Sequence, residues 1–298
     1  MSHSINQYKV GRLPFRVVFA DEDGDASLMP SYEPFRTDLT DEPLLFTLTV
    51  DSAFKPGKKG DEVGQFDCGG TNHGVYLKED GGYQIVVSDT RHRQCSLLDT
   101  SADFSEGRVI IRGSRQMRQF GLGNSIMMTY AFAAATLDTL LMHSSVIRKE
   151  GKGYLFLGVS GTGKSTHTAN WLRYIEGTDL MNDDNPVVRF LDGQVMVFGS
   201  PWSGKTPCYR NIEAPVGGFV QLKQAPHNSI RRMNTIESFA TILPSCSVMK
   251  WDRRIYSGIC DTVSHVLEHS QVYFLENLPD EDAVRLSHDT LTQDKGRK

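Results

Sequence analysis

Glycine, lysine and serine residues between positions 158 and 165 have the types and spacing needed to hold phosphate groups. Gly158 is followed by four residues and then by Gly163, Lys164 and Ser165, which is the phosphate-loop pattern. Glycines permit positive φ, so the backbone N–H groups of such a loop can converge into a concave anion site. Lys164 can reach the outer phosphates of a bound triphosphate, and the Ser165 hydroxyl can ligate a bridging magnesium ion. We therefore predict ATP and Mg²⁺ as ligands of Gly158, Ser160, Gly161, Thr162, Gly163, Lys164, Ser165 and Thr166.

The residues on either side indicate the elements that this loop requires. "YLFLGV" (154–159) is a short apolar run typical of a buried strand, and "THTANWLRYI" (166–175) has helical character. The N-terminus of a helix adds unpaired N–H groups and the positive end of its dipole. The alternative is an ordinary turn that matches the motif by chance, and the strand–loop–helix context argues against it.

Two adjacent carboxylates, Asp183 and Asp184, follow a short apolar stretch downstream of the loop. In phosphate-loop proteins an acid at the end of a strand holds the metal. Neighbouring residues of an extended segment point to opposite sides, so one carboxylate could face the magnesium and the other the incoming nucleophile. The alternative is a solvated Asp-Asp turn before Pro186. The phosphate loop upstream favours the functional interpretation.

Three further features carry charge or metal-binding potential. The segment "FGSPWSGKTPCYRN" (198–211) has the composition of a surface loop, in which Lys205 and Arg210 could clamp a phosphate or an anionic substrate, with solvated loop charges as the alternative. His143 follows an apolar segment, where a lone histidine is typical of a helix terminus favoured by the dipole. His265 and His269 are four residues apart, but no carboxylates complete a metal site, so we interpret them as surface residues.

The order of elements predicts an α/β protein with two domains. Short β-rich runs separated by Gly, Asp and Pro clusters predict a β-rich accessory domain over residues 1–118. Residues 119–298 form the predicted catalytic domain, which starts with a helix at about 124–142 and includes strands at 186–190, 194–199 and 217–222. Helical periodicity returns at 237–245 and 261–270.

Composition excludes several classes of protein. A net charge of −4 over 298 residues gives no basic balance that would favour nucleic acid. The first residues lack a secretory pattern, and the longest apolar segment includes polar residues, so we expect a cytoplasmic protein without a membrane span. The five cysteines are odd in number and widely spaced, which predicts neither a disulfide framework nor a zinc site. Homo-oligomerisation is left open.

The segments "HSSVI", "GKGYLFLGVSGTGKSTHTANWL" and "LMNDDNPV" together resemble the catalytic domain of the HPr kinase/phosphorylase family. That family pairs a histidine just upstream of a phosphate loop with an Asp-Asp pair downstream, and its fold is shared with phosphoenolpyruvate carboxykinase. The resemblance covers residues 140–220 well and the last eighty residues loosely. It implies an HPr kinase/phosphoenolpyruvate carboxykinase-like P-loop core with a β-rich N-terminal domain.

The resemblance also implies a role for each site residue. Asp183 and His143 correspond to the proton-transfer pair, Asp184 to a metal-facing carboxylate beside Ser165, and Glu213 is a candidate further metal-binding acid. Lys164 would stabilise the transferred phosphoryl group. The implied activity is ATP-dependent, magnesium-requiring phosphoryl transfer to a hydroxyl group, such as a serine of an unidentified protein or peptide. The alternatives are a carboxykinase-like or small-molecule phosphotransferase and a non-catalytic nucleotide sensor.

Overall fold

The computed structural model describes residues 4–20, 24–67, 71–159, 161–204 and 206–293. The chain is a mixed α/β protein that divides into two units. The first unit is Met1–Ala134 with Met249–Arg253, and the second is Ala135–Val248 with Arg254–Lys298. Within the described residues, no helix combines the length and the apolar character needed to cross a bilayer.

The first unit is built on one large sheet and one long helix. Its strands are β1 Ser4–Val10, β2 Leu13–Phe19, β3 Arg36–Thr37, β4 Thr47–Val50, β5 Asp61–Asp67, β6 Asn72–Leu77, β7 Tyr83–Ser88, β8 Gln94–Thr100 and β9 Glu106–Ile111. They pair in the order β3-β1-β2-β4-β9-β8-β7-β6-β5. Helix α1, Arg115–Ala133, is capped by Ser114, whose side chain accepts a hydrogen bond from the Met117 N–H. The helix lies against this sheet, where the Tyr130 hydroxyl donates to the carbonyl of Val10 at 3.0 Å.

Helix α1 begins and ends nine residues earlier than the sequence pattern predicts. Gly121 and Gly123 are weak helix formers, so the pattern upstream of residue 124 does not indicate a helix. Gly121 is needed for packing, because a Cβ there would lie 2.8 Å from the backbone of Cys95 on β8. The residues predicted as the last turn of the helix instead form strand β10, Thr139–Leu141. His143 therefore follows a strand and does not end a helix.

The second unit contains the segment that matches the phosphate-loop pattern. Its strands are β10, β11 Ser144–Lys149, β12 Lys152–Leu157, β13 Thr178–Asp184, β14 Val187–Leu191, β15 Gln194–Phe198, β16 Glu213–Gln224, β17 Ser229–Arg232 and β18 Val272–Asn277. Its helices are α2 Lys164–Tyr174, α3 Thr235–Ile242, α4 Arg253–His269 and α5 Glu281–Gln293. The sheet runs β10-β14-β15-β16-β12-β11-β13, and β18 pairs with β16 and β17. The β12–β16 and β16–β18 pairs are parallel.

Apolar packing holds helix α2 against the sheet and so fixes the position of its N-terminus. Trp171 is fully buried and lies against the rings of Tyr154 and Phe156 on β12, with centroids 5.7 and 5.6 Å away. The same core includes Val220 of β16 and Val284 of α5. Burying aromatic side chains of this size dominates core energetics. The first turn of α2 is thereby held at the end of β12.

Candidate active site

The loop between β12 and α2 has glycine at three positions where φ is positive. Gly158, Gly161 and Gly163 have φ of 148°, 86° and 98°, in the region that L side chains rarely adopt. A Cβ at Gly158 would also lie 2.4 Å from the hydroxyl oxygen of Thr162. That hydroxyl donates to the carbonyl of Val159 at 2.8 Å. Ser160, which the motif predicts as a ligand residue, lies outside the described residues.

Lys164 is the first residue of α2 and lies half-buried at the base of a cleft. Its Nζ donates to the carbonyl of Gly158 at 2.6 Å and lies 3.0 Å from Nε2 of His143. An ammonium group can only donate, so Nε2 accepts, and the ring proton is on Nδ1. Desolvation lowers the pKa of Lys164, and the nearby charges of Asp184 and Asp183 oppose that shift. The lysine is thus electrostatically coupled to both carboxylates.

Asp183 is 4% exposed and is held by donors from three elements. Its Oδ1 accepts hydrogen bonds from the hydroxyls of Ser145 and, at 3.4 Å, Ser165. Its Oδ2 accepts from the backbone N–H of Thr206 at 3.3 Å. Ser145 lies directly opposite Asp183 in the β11–β13 pair, which explains their contact. Sequence reasoning did not single out Ser145, although the quoted "HSS" segment includes it.

Asp184 ends β13 and turns into the same cleft, although neighbouring strand residues normally alternate. Its φ is 145°, which is unusual for a residue with a side chain and is a form of backbone strain found at functional sites. Its Oδ1 lies 2.8 Å from Nδ1 of His143, and its Oδ2 accepts from the Asn185 amide at 2.8 Å. The side chain is 30% exposed, so solvent reaches this carboxylate far more than it reaches Asp183.

The segment that follows β15 lies along the free edge of β13. Gly204 donates its N–H to the carbonyl of Asp183 at 2.5 Å, and the Ser203 hydroxyl donates to the same oxygen at 3.1 Å. A Cβ at Gly204 would lie 3.1 Å from that oxygen and 3.2 Å from Cβ of Asp184, so glycine is the residue that this approach tolerates. Lys205 falls outside the described residues, but its neighbours Gly204 and Thr206 both contact Asp183.

Two predicted site residues lie away from these contacts. The guanidinium of Arg210 pairs with Asp179 at 3.0 Å and donates to the carbonyl of Leu180. Asp179 is four residues from Asp183 along β13, roughly 13 Å in an extended strand. Glu213 is the first residue of β16, opposite Phe198. Neither Arg210 nor Glu213 is among the residues that line the cleft.

One cleft of about 300 Å³ brings together most of the described candidates, but Gly158 and Thr162 are not in its lining. Its lining comprises His143, Ser145, Gly161, Gly163, Lys164, Ser165, Thr166, Asp183, Asp184 and Gly204. Among the described residues, no group of three or more His, Cys, Asp or Glu side chains is arranged to hold a metal ion. Magnesium is commonly held by one or two carboxylates together with substrate phosphates, and the oxygens of Ser165 and Asp183 fit that chemistry. The cleft therefore combines a lysine at the start of a helix, hydroxyl and carboxylate oxygens, and a histidine–carboxylate pair.

Comparison with solved structures gives distant similarities. No family model matches the sequence, and no curated protein matches it. The Hpr(Ser) kinase/phosphatase from Coxiella burnetii aligns with 52% of this chain and 99% of its own, at 11% identity and a TM-score of 0.31.

Proposed function

We propose that this protein is an ATP-dependent, magnesium-requiring phosphotransferase that acts on a hydroxyl acceptor. The observation that carries the proposal is the continuous set of contacts in one cleft. Lys164 lies against His143, His143 lies against Asp184, and Ser165 of the same helix turn lies against Asp183. Phosphoryl transfer needs positive charge at the phosphates, oxygen ligands for a metal and a base near the acceptor. These groups supply all three.

The contacts favour one division of labour between the two acids. Asp183 is buried beside Ser165, so this pair is the oxygen set available to magnesium, which would neutralise charge on the phosphates when bound. Asp184 is more exposed, and its Oδ1 accepts a hydrogen bond from Nδ1–H of His143. Because both side chains are accessible, an acceptor hydroxyl can approach this pair. This proposal exchanges the roles that the family resemblance implies for Asp183 and Asp184.

In the proposed reaction, the acceptor oxygen forms a bond to the γ-phosphorus as the bond between that phosphorus and the β–γ bridging oxygen breaks. The acceptor proton passes to the carboxylate of Asp184, and His143 holds that carboxylate through its Nδ1–H. The ammonium of Lys164 and the loop N–H groups stabilise the negative charge on the phosphate oxygens. ADP leaves as the second product.

Two asparagine variants test this division. We expect Asp184→Asn to lower the rate of phosphoryl transfer by about 10²–10⁴-fold, the usual cost of losing a general base, at an unchanged magnesium requirement. Asp183→Asn should instead raise the magnesium concentration needed for half-maximal activity. Asp192→Asn, in an exposed turn, is the matched control and should behave as the wild type. The reverse pattern would restore the assignment implied by the resemblance, and equal loss of ATP binding in both variants would contradict either division.

The acceptor class is tested separately. The protein is incubated with γ-labelled ATP and a cell lysate, and the labelled product is identified. A serine-containing protein or peptide is the acceptor class that the resemblance implies, and a labelled metabolite would indicate a small-molecule kinase. Slow ATP consumption that Asp183→Asn and Asp184→Asn leave unchanged would indicate a nucleotide sensor instead of an enzyme.

A further inference from the structure

A second cavity, of about 470 Å³, lies beside the phosphate loop and is not used by the chemistry above. One wall is the end of the loop and the first turn of α2, with Thr162, Gly163 and Thr166. The other wall is formed where β16 and β18 end, with Gln224, Asn277 and Leu278. The volume falls within the range of small-molecule pockets.

The two cavities are adjacent, because Gly163 and Thr166 line both. A molecule whose phosphates occupy the cleft at Lys164 could therefore continue past the first helical turn into this second space. Gly163 leaves the passage open: it has no side chain, and a Cβ there would meet only the Gln224 amide, at 4.0 Å. This continuity offers a place for the non-phosphate part of a nucleotide.

The far wall is a fixed part of the fold. The backbone N–H of Ala225 donates to the carbonyl of Asn277 at 3.2 Å, which joins the ends of β16 and β18. Asn228 accepts from the N–H of Leu278 at 2.7 Å and so holds the apolar rim of the cavity in place. A ligand that enters this cavity would meet a preformed surface and not a loose loop.

Asn277 provides an independent sign that a ligand belongs here. It is 6% exposed, its Nδ2 donates to the carbonyl of Leu278 at 3.1 Å, and its buried Oδ1 accepts no hydrogen bond from the described residues. A buried acceptor without a donor costs free energy, so such a group calls for an explanation. A ligand amine that donates to Oδ1 would supply the missing hydrogen bond.

We propose that this cavity is the base-binding site and that it selects adenine; this inference rests on the proposed function. Adenine presents a donor and an acceptor side by side. The donor can pair with Oδ1 of Asn277, and the acceptor with the second N–H of the Gln224 amide, whose other N–H donates to the carbonyl of Gly161 at 3.2 Å. Arginine or lysine, in contrast, commonly pairs with the acceptor edge of guanine. The described lining of the cavity contains neither Arg nor Lys and no carboxylate. Leu278, Ala225 and Pro279 supply an apolar surface for the faces of the base.

The test compares ATP, GTP and inorganic tripolyphosphate, each with magnesium, by calorimetric titration of the full chain. We expect ATP to bind at least about tenfold more tightly than either of the others, because a good pair of base contacts discriminates by roughly this factor or more. Asn277→Ala and Gln224→Ala should each remove most of that advantage and leave the affinity for tripolyphosphate unchanged. Asn211→Ala removes an exposed amide and serves as the matched control.

The outcomes separate this proposal from the proposed function. Equal binding of all three ligands by the wild type would overturn the base site while leaving a phosphate-binding enzyme. Variants that keep the full preference for ATP would place the base elsewhere and also overturn it. Failure of all three ligands to bind the wild type would overturn the proposed function itself. Gln224 lies on β16, whereas Asn277 lies on β18. Gln224→Ala therefore still tests the proposal if Asn277→Ala fails to fold.

Discussion

His167, one turn into α2, makes the stability of the second unit depend on pH. Its ring is buried, and its Nε2 accepts from the Trp171 indole N–H at 3.2 Å and lies 3.1 Å from the Ser287 hydroxyl. Burial lowers the pKa of His167 to about 4, from an ordinary value of 6.5. His167 therefore binds a proton less readily in the folded protein than in the unfolded chain.

The size and sign of the effect follow from this difference. Below pH 6.5 the unfolded state binds the proton and is favoured, so stability falls as the pH drops toward 4 and then levels off. The full loss is about 3 kcal/mol, since each pKa unit is worth about 1.4 kcal/mol. Between about pH 7.5 and pH 5 we expect about 2 kcal/mol of that loss.

Urea unfolding followed by tryptophan fluorescence measures the free energy of unfolding at each pH. Trp171 is a suitable probe because it contacts the ring of His167. His167→Gln should lower stability at about pH 7.5 but lose about 2 kcal/mol less than the wild type between that pH and about pH 5. His92→Gln changes an exposed histidine of the first unit and should keep the wild-type pH dependence. If His167→Gln and the wild type lose the same free energy over this range, the buried histidine is not the cause.

Other perturbations test the cleft itself. Lys164→Ala should abolish or severely weaken Mg–ATP binding while leaving circular dichroism unchanged, and unchanged affinity by calorimetry would refute its role at the phosphates. Gly204→Ala should lower turnover more than ATP affinity, because the added methyl group crowds Asp183 and Asp184; wild-type turnover would show that this approach is unimportant. Lys205→Ala should impair transfer to the acceptor more than ATP binding, and an experimental structure with Lys205 more than about 20 Å from the loop, two Debye lengths, would exclude this.

The phosphate-loop pattern could be identified in the sequence because its requirements are local. Glycine spacing sets the backbone conformation, and Lys164 and Ser165 follow directly, so no distant contact is needed to identify them. The same holds for the strand and helix that flank the loop, whose apolar residues form the core around Trp171. The cleft at the N-terminus of α2 follows from these elements.

Partners brought in by pairing between distant strands were harder to foresee. Ser145 gains its role only because β11 lies beside β13, and Gly204 only because its segment follows the edge of that strand. Arg210 illustrates the converse case. A charged residue near a glycine-rich loop suggests a role in binding an anionic ligand. In this structure the guanidinium of Arg210 instead donates to Asp179 and to the carbonyl of Leu180. The helix or strand propensity of a residue carries no information about contacts between elements that are distant in sequence.

A β-bulge decides which carboxylate meets which hydroxyl. From Lys149 opposite Thr178 to Ile147 opposite Leu180 the β11–β13 register is regular, but the next pair joins Val146 to Asn182 and leaves Met181 without a partner in this pairing. Without that extra residue the regular register would place Ser145 opposite Asn182, and the side chain of Asp183 would be carried to the other face. Bulges of this kind re-aim side chains next to active sites. The geometry at Asp183 thus depends on one unpaired, fully buried methionine within "DLMNDD", a run that reads as a continuous strand in the sequence.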